Sequence, residues 1–201
     1  VSDVLLVGIL GPTMDRMSYL LGLDVSTSCV GVTLLSRNTG AIVLLDHIGF
    51  KGSKTLYEKG TVVEGYLVNL KLKYPEIESV YIEDAAKKFA SGRSSATVIS
   101  TLMRFNGICS YIAYTRLQLL PEYVAPSAAR KLCGLKMQQT KKCGRSHKQQ
   151  TFDTMMATDL SHVTWPLKMR STNIVDYAYD TVDAYVVAKA GLIIEQRGPE
   201  V

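Results

Sequence analysis

The chain has 201 residues, 47% hydrophobic and 20% charged, which suits one globular core and excludes both a charge-dominated disordered chain and two large domains. Its formal charge of +5 is a mild excess that matters mainly through where it falls. Four cysteines, Cys29, Cys109, Cys133 and Cys143, form no C-x-x-C pair, which excludes a disulfide scaffold and suits a reducing compartment.

Val4 to Leu10 is apolar but has no basic leader and is far short of the roughly 20 residues that span a bilayer. Gly11-Pro12 breaks it, so residues 1–16 read as an extension outside the core and residues 17–201 as a single domain. Three short strands are expected over 19–24, 30–36 and 41–48, the last two joined by the turn Arg37-Asn38-Thr39-Gly40. Residues 55–73 place Leu56, Val63, Tyr66, Leu67 and Leu70 at helical spacing and stop before Pro75; a strand follows over 79–83. The polar stretch 85–94 precedes an amphipathic helix over 95–115 and a fifth strand over 119–124. Pro126 opens a short helix to 132, residues 134–145 read as a loop, and helices are expected over 146–160 and 173–195. The last would bury Val182, Tyr185, Val186 and Ile193. Three strands, a helix, a strand, a helix, a strand and then helices is a mixed α/β order, and it predicts an RNase H-like fold with a five-stranded sheet flanked by helices.

Four carboxylates stand at the ends of these elements. Asp24 closes one apolar run, Glu83 closes another, and Asp180 and Asp183 share a face of the last helix, three residues apart. Singly, each has a plainer use: Asp24 as a turn residue, Glu83 as a surface acid, and Asp180 or Asp183 as a charge favoured at a helix N-terminus. Together, with the first and fourth strands side by side, they would meet at one sheet edge. Hard oxygen ligands in such a cluster suit Mg²⁺. Two ions roughly 3.5–4 Å apart would activate water and stabilise the leaving oxygen, which is phosphodiester hydrolysis. Asp176, one turn earlier, would replace Asp180 if the helix were rotated.

Arg130, Lys131, Lys136, Lys141, Lys142, Arg145 and Lys148 form a basic stretch, and no Asp or Glu interrupts from Tyr123 to Phe152. Lys136, Lys141, Lys142, Arg145 and Lys148 are therefore candidate phosphate contacts, as are Lys87, Lys88 and Arg93 in the polar stretch. Cys133, Cys143, His147 and His162 match no common zinc-ligand spacing.

Leu21-Gly22-Leu23-Asp24-Val25-Ser26-Thr27-Ser28, Val80-Tyr81-Ile82-Glu83, Ser146-His147-Lys148 and Asp180-Thr181-Val182-Asp183-Ala184-Tyr185 resemble, in order and spacing, the RuvC-type Holliday-junction resolvases. The resemblance implies a homodimer that makes Mg²⁺- or Mn²⁺-dependent paired cuts in four-way DNA junctions. Asp24, Glu83, Asp180 and Asp183 would be the metal ligands, Lys148 a catalytic basic residue near the scissile phosphate, and Phe89 an aromatic that stacks on DNA bases. Two departures are visible: the turn after Asp24 lacks the family's Pro-Gly, and Thr181-Val182 replaces its Ala-Ala. With the rich basic segment they favour a phage, viral or organellar version, in a cytoplasmic or other DNA-containing compartment and not secreted. A related nuclease acting on flap DNA or RNA–DNA hybrid is the alternative. A sugar-kinase or actin-like ATPase hairpin is a lesser one, since Ser26 stands where a Gly would admit a phosphate and the length allows only one such domain.

Overall fold

The structure is a computed structural model that describes residues 17–85 and 96–198. The expected extension 1–16 and the residues Lys87, Lys88, Phe89 and Arg93 lie outside the described residues. The elements run β1 (Tyr19–Val25), β2 (Cys29–Ser36), β3 (Ile42–Gly49), α1 (Leu56–Lys73), β4 (Ile77–Glu83), α2 (Ala96–Leu117), β5 (Glu122–Val124), α3 (Pro126–Leu132), α4 (Thr140–Cys143), α5 (His147–Ala157) and α6 (Tyr177–Arg197). They form one five-stranded sheet in the order β3-β2-β1-β4-β5. β1, β2 and β3 pair antiparallel as a meander, whereas β4 runs parallel to β1 and β5 parallel to β4.

β1 is buried along its whole length because helices cover both faces of the sheet, which is why its sequence is almost continuously apolar. Side-chain alternation divides it. Leu21, Leu23 and Val25 join Val30, Val32 and Leu34 in a core closed by α1 and α2. Leu20 instead joins Tyr81, Phe152, Val182 and Tyr185 in a second core beneath α5 and α6. α1 is held at its start by a capping box, with Thr55 Oγ1 accepting from the Glu58 amide and the Glu58 carboxylate accepting from the Thr55 amide.

α6 is buried on nearly every side from Ala178 to Leu192, as a helix apolar all round must be. Two glycines set its depth. A Cβ on Gly22 would stand 2.6 Å from the Ala184 carbonyl oxygen, and one on Gly31 would overlap the Asp180 carbonyl group. Only hydrogen at both positions lets the helix backbone lie directly on the β1–β2 ladder.

The structure differs from the sequence-based expectations at several boundaries. Gln118 takes a positive φ of 57° and turns the chain after α2, so the fifth strand is only three residues long. α6 begins at Tyr177, because Ile174 is engaged in a β-bridge with Leu167. The loop over 134–145 contains the single turn α4, ended by Gly144 in the left-handed region. α5 stops at Ala157, and in α6 Leu192 rather than Ile193 is the buried residue. Among the described residues no helix is long and apolar enough to cross a membrane.

Gly31→Ala is expected to cost about 1–3 kcal/mol, because the added methyl meets backbone that cannot step aside. Gly65→Ala, on an open face of α1 with nothing near its Cβ position, is expected to add about 0.5–1 kcal/mol. Urea unfolding of the two variants checks the contrast; a Gly31→Ala protein as stable as wild type would contradict the close docking of α6.

Candidate active site

Asp24 and Glu83 reach the same edge through register. Leu23 pairs with Ile82, so Asp24 and Glu83 stand next to each other at the C-terminal ends of parallel neighbours. Both alternate with residues of the α1–α2 core, and so both face α6. On β2 the partner of Asp24 is Gly31, the residue against which the Asp180 backbone rests. The first turns of α6 then deliver Asp180 and Asp183 to the same place. All four acids are buried.

Lys148 enters this cluster from the first turn of α5. Ser146 caps that helix by accepting from the Gln149 amide at 3.1 Å. A lysine in a first helical turn opposes the macrodipole, so helix formation does not explain it. Its ammonium bonds to Asp180 and lies 3.7 Å from Asp24 and 3.6 Å from Asp183. Arg130 Nη2 lies 3.8 Å from the other oxygen of Asp183, while Arg130 Nε donates to Thr151 Oγ1. Behind the strand, the buried Asn106 of α2 donates to the Glu83 carbonyl at 3.0 Å and fixes the end of β4.

The electrostatics follow from burial. Burial pulls the Lys148 ammonium down, but Asp24, Asp183 and Asp180 together outweigh it, so Lys148 stays charged with a pKa above the ordinary lysine value. Burial, then the charge of Asp24, pushes the Asp183 carboxyl well above the usual carboxylate range; Glu83 adds to this, and Lys148 and Arg130 offset only part. The Cys29 thiol beside them is pushed up to about 12, by burial first and then by Asp180 and Asp24. The edge therefore carries a negative field that Lys148 and Arg130 do not cancel.

The donor set fits a hard divalent cation, since all four side chains offer carboxylate oxygens. Among the described residues, however, no three His, Cys, Asp or Glu side chains converge to hold a metal ion. Three of the acids surround the Lys148 ammonium instead. Beside them opens a groove of about 460 Å³ whose walls include Ser26, Ser28, Ser146, Lys148, Gln149 and Asp180.

The structure thus brings together Asp24, Glu83, Asp180, Asp183 and Lys148. Asp176 does not replace Asp180: its side chain is 84% exposed and pairs with Lys168 at 2.6 Å. Lys136, Lys141, Lys142 and Arg145 are exposed on the segment that leads from α3 to α5, and Arg145 pairs with Asp153 at 3.0 Å. Arg130, which the sequence places at the head of the basic stretch, is turned inward to Asp183. Asn106 carried no sequence signal beyond being a polar residue on the buried stripe of an amphipathic helix.

A mixed sheet in this strand order, with acids gathered where β1, β4 and α6 meet, defines an RNase H-like α/β domain. No family model matches the chain, and no curated protein matches it in sequence. In fold it is similar to Thermus thermophilus RuvC in complex with Holliday junction substrate, at 9% identity and a TM-score of 0.62, over 90% of this chain and 96% of that one. A second Thermus thermophilus RuvC structure aligns with a TM-score of 0.56 and 11% identity, covering 89% and 96%. The yeast mitochondrial Holliday junction resolvase Ydc2 aligns with a TM-score of 0.51 and 10% identity, covering 88% and 78%. The chain has the fold of these resolvases.

Because burial and the neighbouring acids disfavour ionised Asp183 where it stands, Asp183→Asn is expected to raise the stability of the metal-free protein at neutral pH. Denaturant unfolding in chelator measures it, and a lowered midpoint would show that Lys148 and Arg130 outweigh the crowding.

Proposed function

We propose that the chain is a metal-dependent endodeoxyribonuclease that cuts four-way DNA junctions as a homodimer. The observation that carries this reading is the convergence of four buried carboxylates from β1, β4 and α6 at one edge of an RNase H-like sheet. Burying four acids together has no folding benefit, and a hydrolytic site for phosphodiesters is the use that fits both the donors and the fold.

Asp24, Glu83, Asp180 and Asp183 would hold Mg²⁺, with Mn²⁺ able to substitute. The chemistry such ions supply when bound is polarisation of a phosphodiester and a lowered pKa for water. The chain's own residues do the rest. Lys148 presents a permanent positive charge at the mouth of the groove, suited to a non-bridging phosphate oxygen. Asn106 keeps Glu83 in register, and Ser146, whose hydroxyl accepts from the Gln149 amide, offers its own proton to the adjoining DNA backbone. Lys136, Lys141 and Lys142, exposed on the segment leading to α5, extend the positive surface toward the flanking DNA. Lys87, Lys88, Arg93 and the stacking role of Phe89 belong to the same reading.

Paired cuts require two sites, and α2 presents Met103, Tyr111 and Tyr114 outward, with Tyr123 of β5 also exposed. This apolar stripe suits a second copy of the chain across a two-fold axis. Tyr111→Glu combined with Tyr114→Glu is expected to yield a monomer in sedimentation experiments, with single nicks in place of paired ones. A dimer that survives both changes would place the interface elsewhere.

Incubation with synthetic four-way junction, flap and RNA–DNA hybrid substrates, with Mg²⁺ and with chelator, tests the activity. Symmetric cuts in the junction that need Mg²⁺ are expected; cleavage of the hybrid alone would overturn the junction reading. Asp24→Asn should lower the cleavage rate by at least about 10³-fold while junction binding persists. Changing Lys141, Lys142 and Arg145 together to Ala should weaken binding and reduce the slope of log affinity against log salt by about 2.7, since each neutralised phosphate contributes roughly 0.9 to that slope. An unchanged slope would make that segment a solvated loop.

A further inference from the structure

The Lys148 ammonium occupies the space among Asp24, Asp180 and Asp183, bonded to Asp180 and within 3.7 Å of the other two. A bound Mg²⁺ needs its oxygens at about 2.0–2.1 Å, which draws the ligating carboxylates together around one point. An ammonium at the centre keeps them apart, and in keeping with this no three acids among the described residues stand close enough together to hold one metal ion. Two cations at that point would also repel each other by several kcal/mol in an effective dielectric of about 20.

Lys148 is free to leave. Its side chain is 39% exposed, it sits on the first turn of α5, and it borders the groove that opens to solvent beside Ser26, Ser28 and Ser146. What draws the ammonium into the cluster is the attraction of the acids.

We propose that Lys148 and a divalent cation are alternative occupants of the carboxylate cluster: the ammonium partly offsets the charge of Asp24, Asp180 and Asp183 in the metal-free protein and is displaced into the groove when a metal ion enters. The inference rests on the metal-dependent nuclease reading and adds an order of events to it. The metal-free protein stays folded because Lys148 supplies the counter-charge. Metal entry then puts a freed lysine where a phosphate of bound DNA would lie. By linkage, DNA that holds Lys148 in the groove raises the affinity of the cluster for metal.

The test uses the full chain, stripped of metal and titrated calorimetrically with MgCl₂ and with MnCl₂, alongside Lys148→Met and Lys148→Arg. Lys148→Met removes the competing charge at similar volume and is expected to bind the ion about tenfold or more tightly, whereas Lys148→Arg stays near wild type. Equal or weaker binding by Lys148→Met overturns the proposal. Should that variant fail to fold without metal, the wild-type protein decides alone. Acylation of Lys148 by an amine-reactive reagent, followed by mass spectrometry, should be slow in chelator and several-fold faster in saturating Mg²⁺. A rate that Mg²⁺ leaves unchanged overturns the proposal. Metal uptake that ignores Lys148 leaves the nuclease reading standing, whereas a wild-type chain that binds neither ion and cuts no branched DNA removes both.

Discussion

The acidic edge depends on how closely α6 lies on the β1–β2 ladder. Glycine at 22 and 31 brings helix backbone against strand backbone, and this close approach, not any bond between side chains, sets the height of Asp180 and Asp183 above Asp24. Polar pins then fix the rotation of the helix. Thr33 Oγ1 donates to the Thr181 carbonyl at 3.4 Å, and Thr181 Oγ1 donates to the Asp46 carbonyl at 3.1 Å. His47 and Tyr177 stack with ring centroids 3.6 Å apart, closing the same joint from the edge strand. Thr181 therefore ties α6 to β3.

That docking forces carboxylates together in a poorly solvated place, and the fold answers with cations drawn from separate elements. Lys148 comes from α5 and Arg130 from α3, and both of these helices pack against α6. The shift of Asp183 shows that the answer is incomplete: burial and the neighbouring acids prevail over both cations. Cys29 is pushed the same way, by burial first and then by Asp180 and Asp24. Uncompensated negative charge of this kind is the physical basis of the proposed cation site.

Much of this was legible in the sequence because the acids interrupt apolar runs. Asp24 and Glu83 end strands whose other residues are core, and three-residue spacing on an apolar helix put Asp180 and Asp183 on one face. The meander turn before Ala41 and the proline at 126 marked element boundaries by backbone chemistry that acts locally. What depended on distant partners was not legible. Arg130 reads as one more residue of a basic stretch until α3 is seen packed against α6. Asn106 reads as a polar residue in an apolar helix until the Glu83 carbonyl is found beside it. Gly31 reads as a strand glycine without a reason. The late start of α6 at Tyr177 escapes the helical pattern because Ile174 is spent on a bridge to Leu167, a pairing no periodicity predicts.

Whether the four carboxylates form one cation site is decided most directly by crystals grown without metal and then soaked in Mn²⁺, read by anomalous scattering. A peak bounded by Asp24, Glu83, Asp180 and Asp183 is the predicted result. A Mn²⁺ peak bound elsewhere on the molecule, with Asp24, Asp180 and Asp183 still arranged around Lys148 at saturating ion, would contradict it.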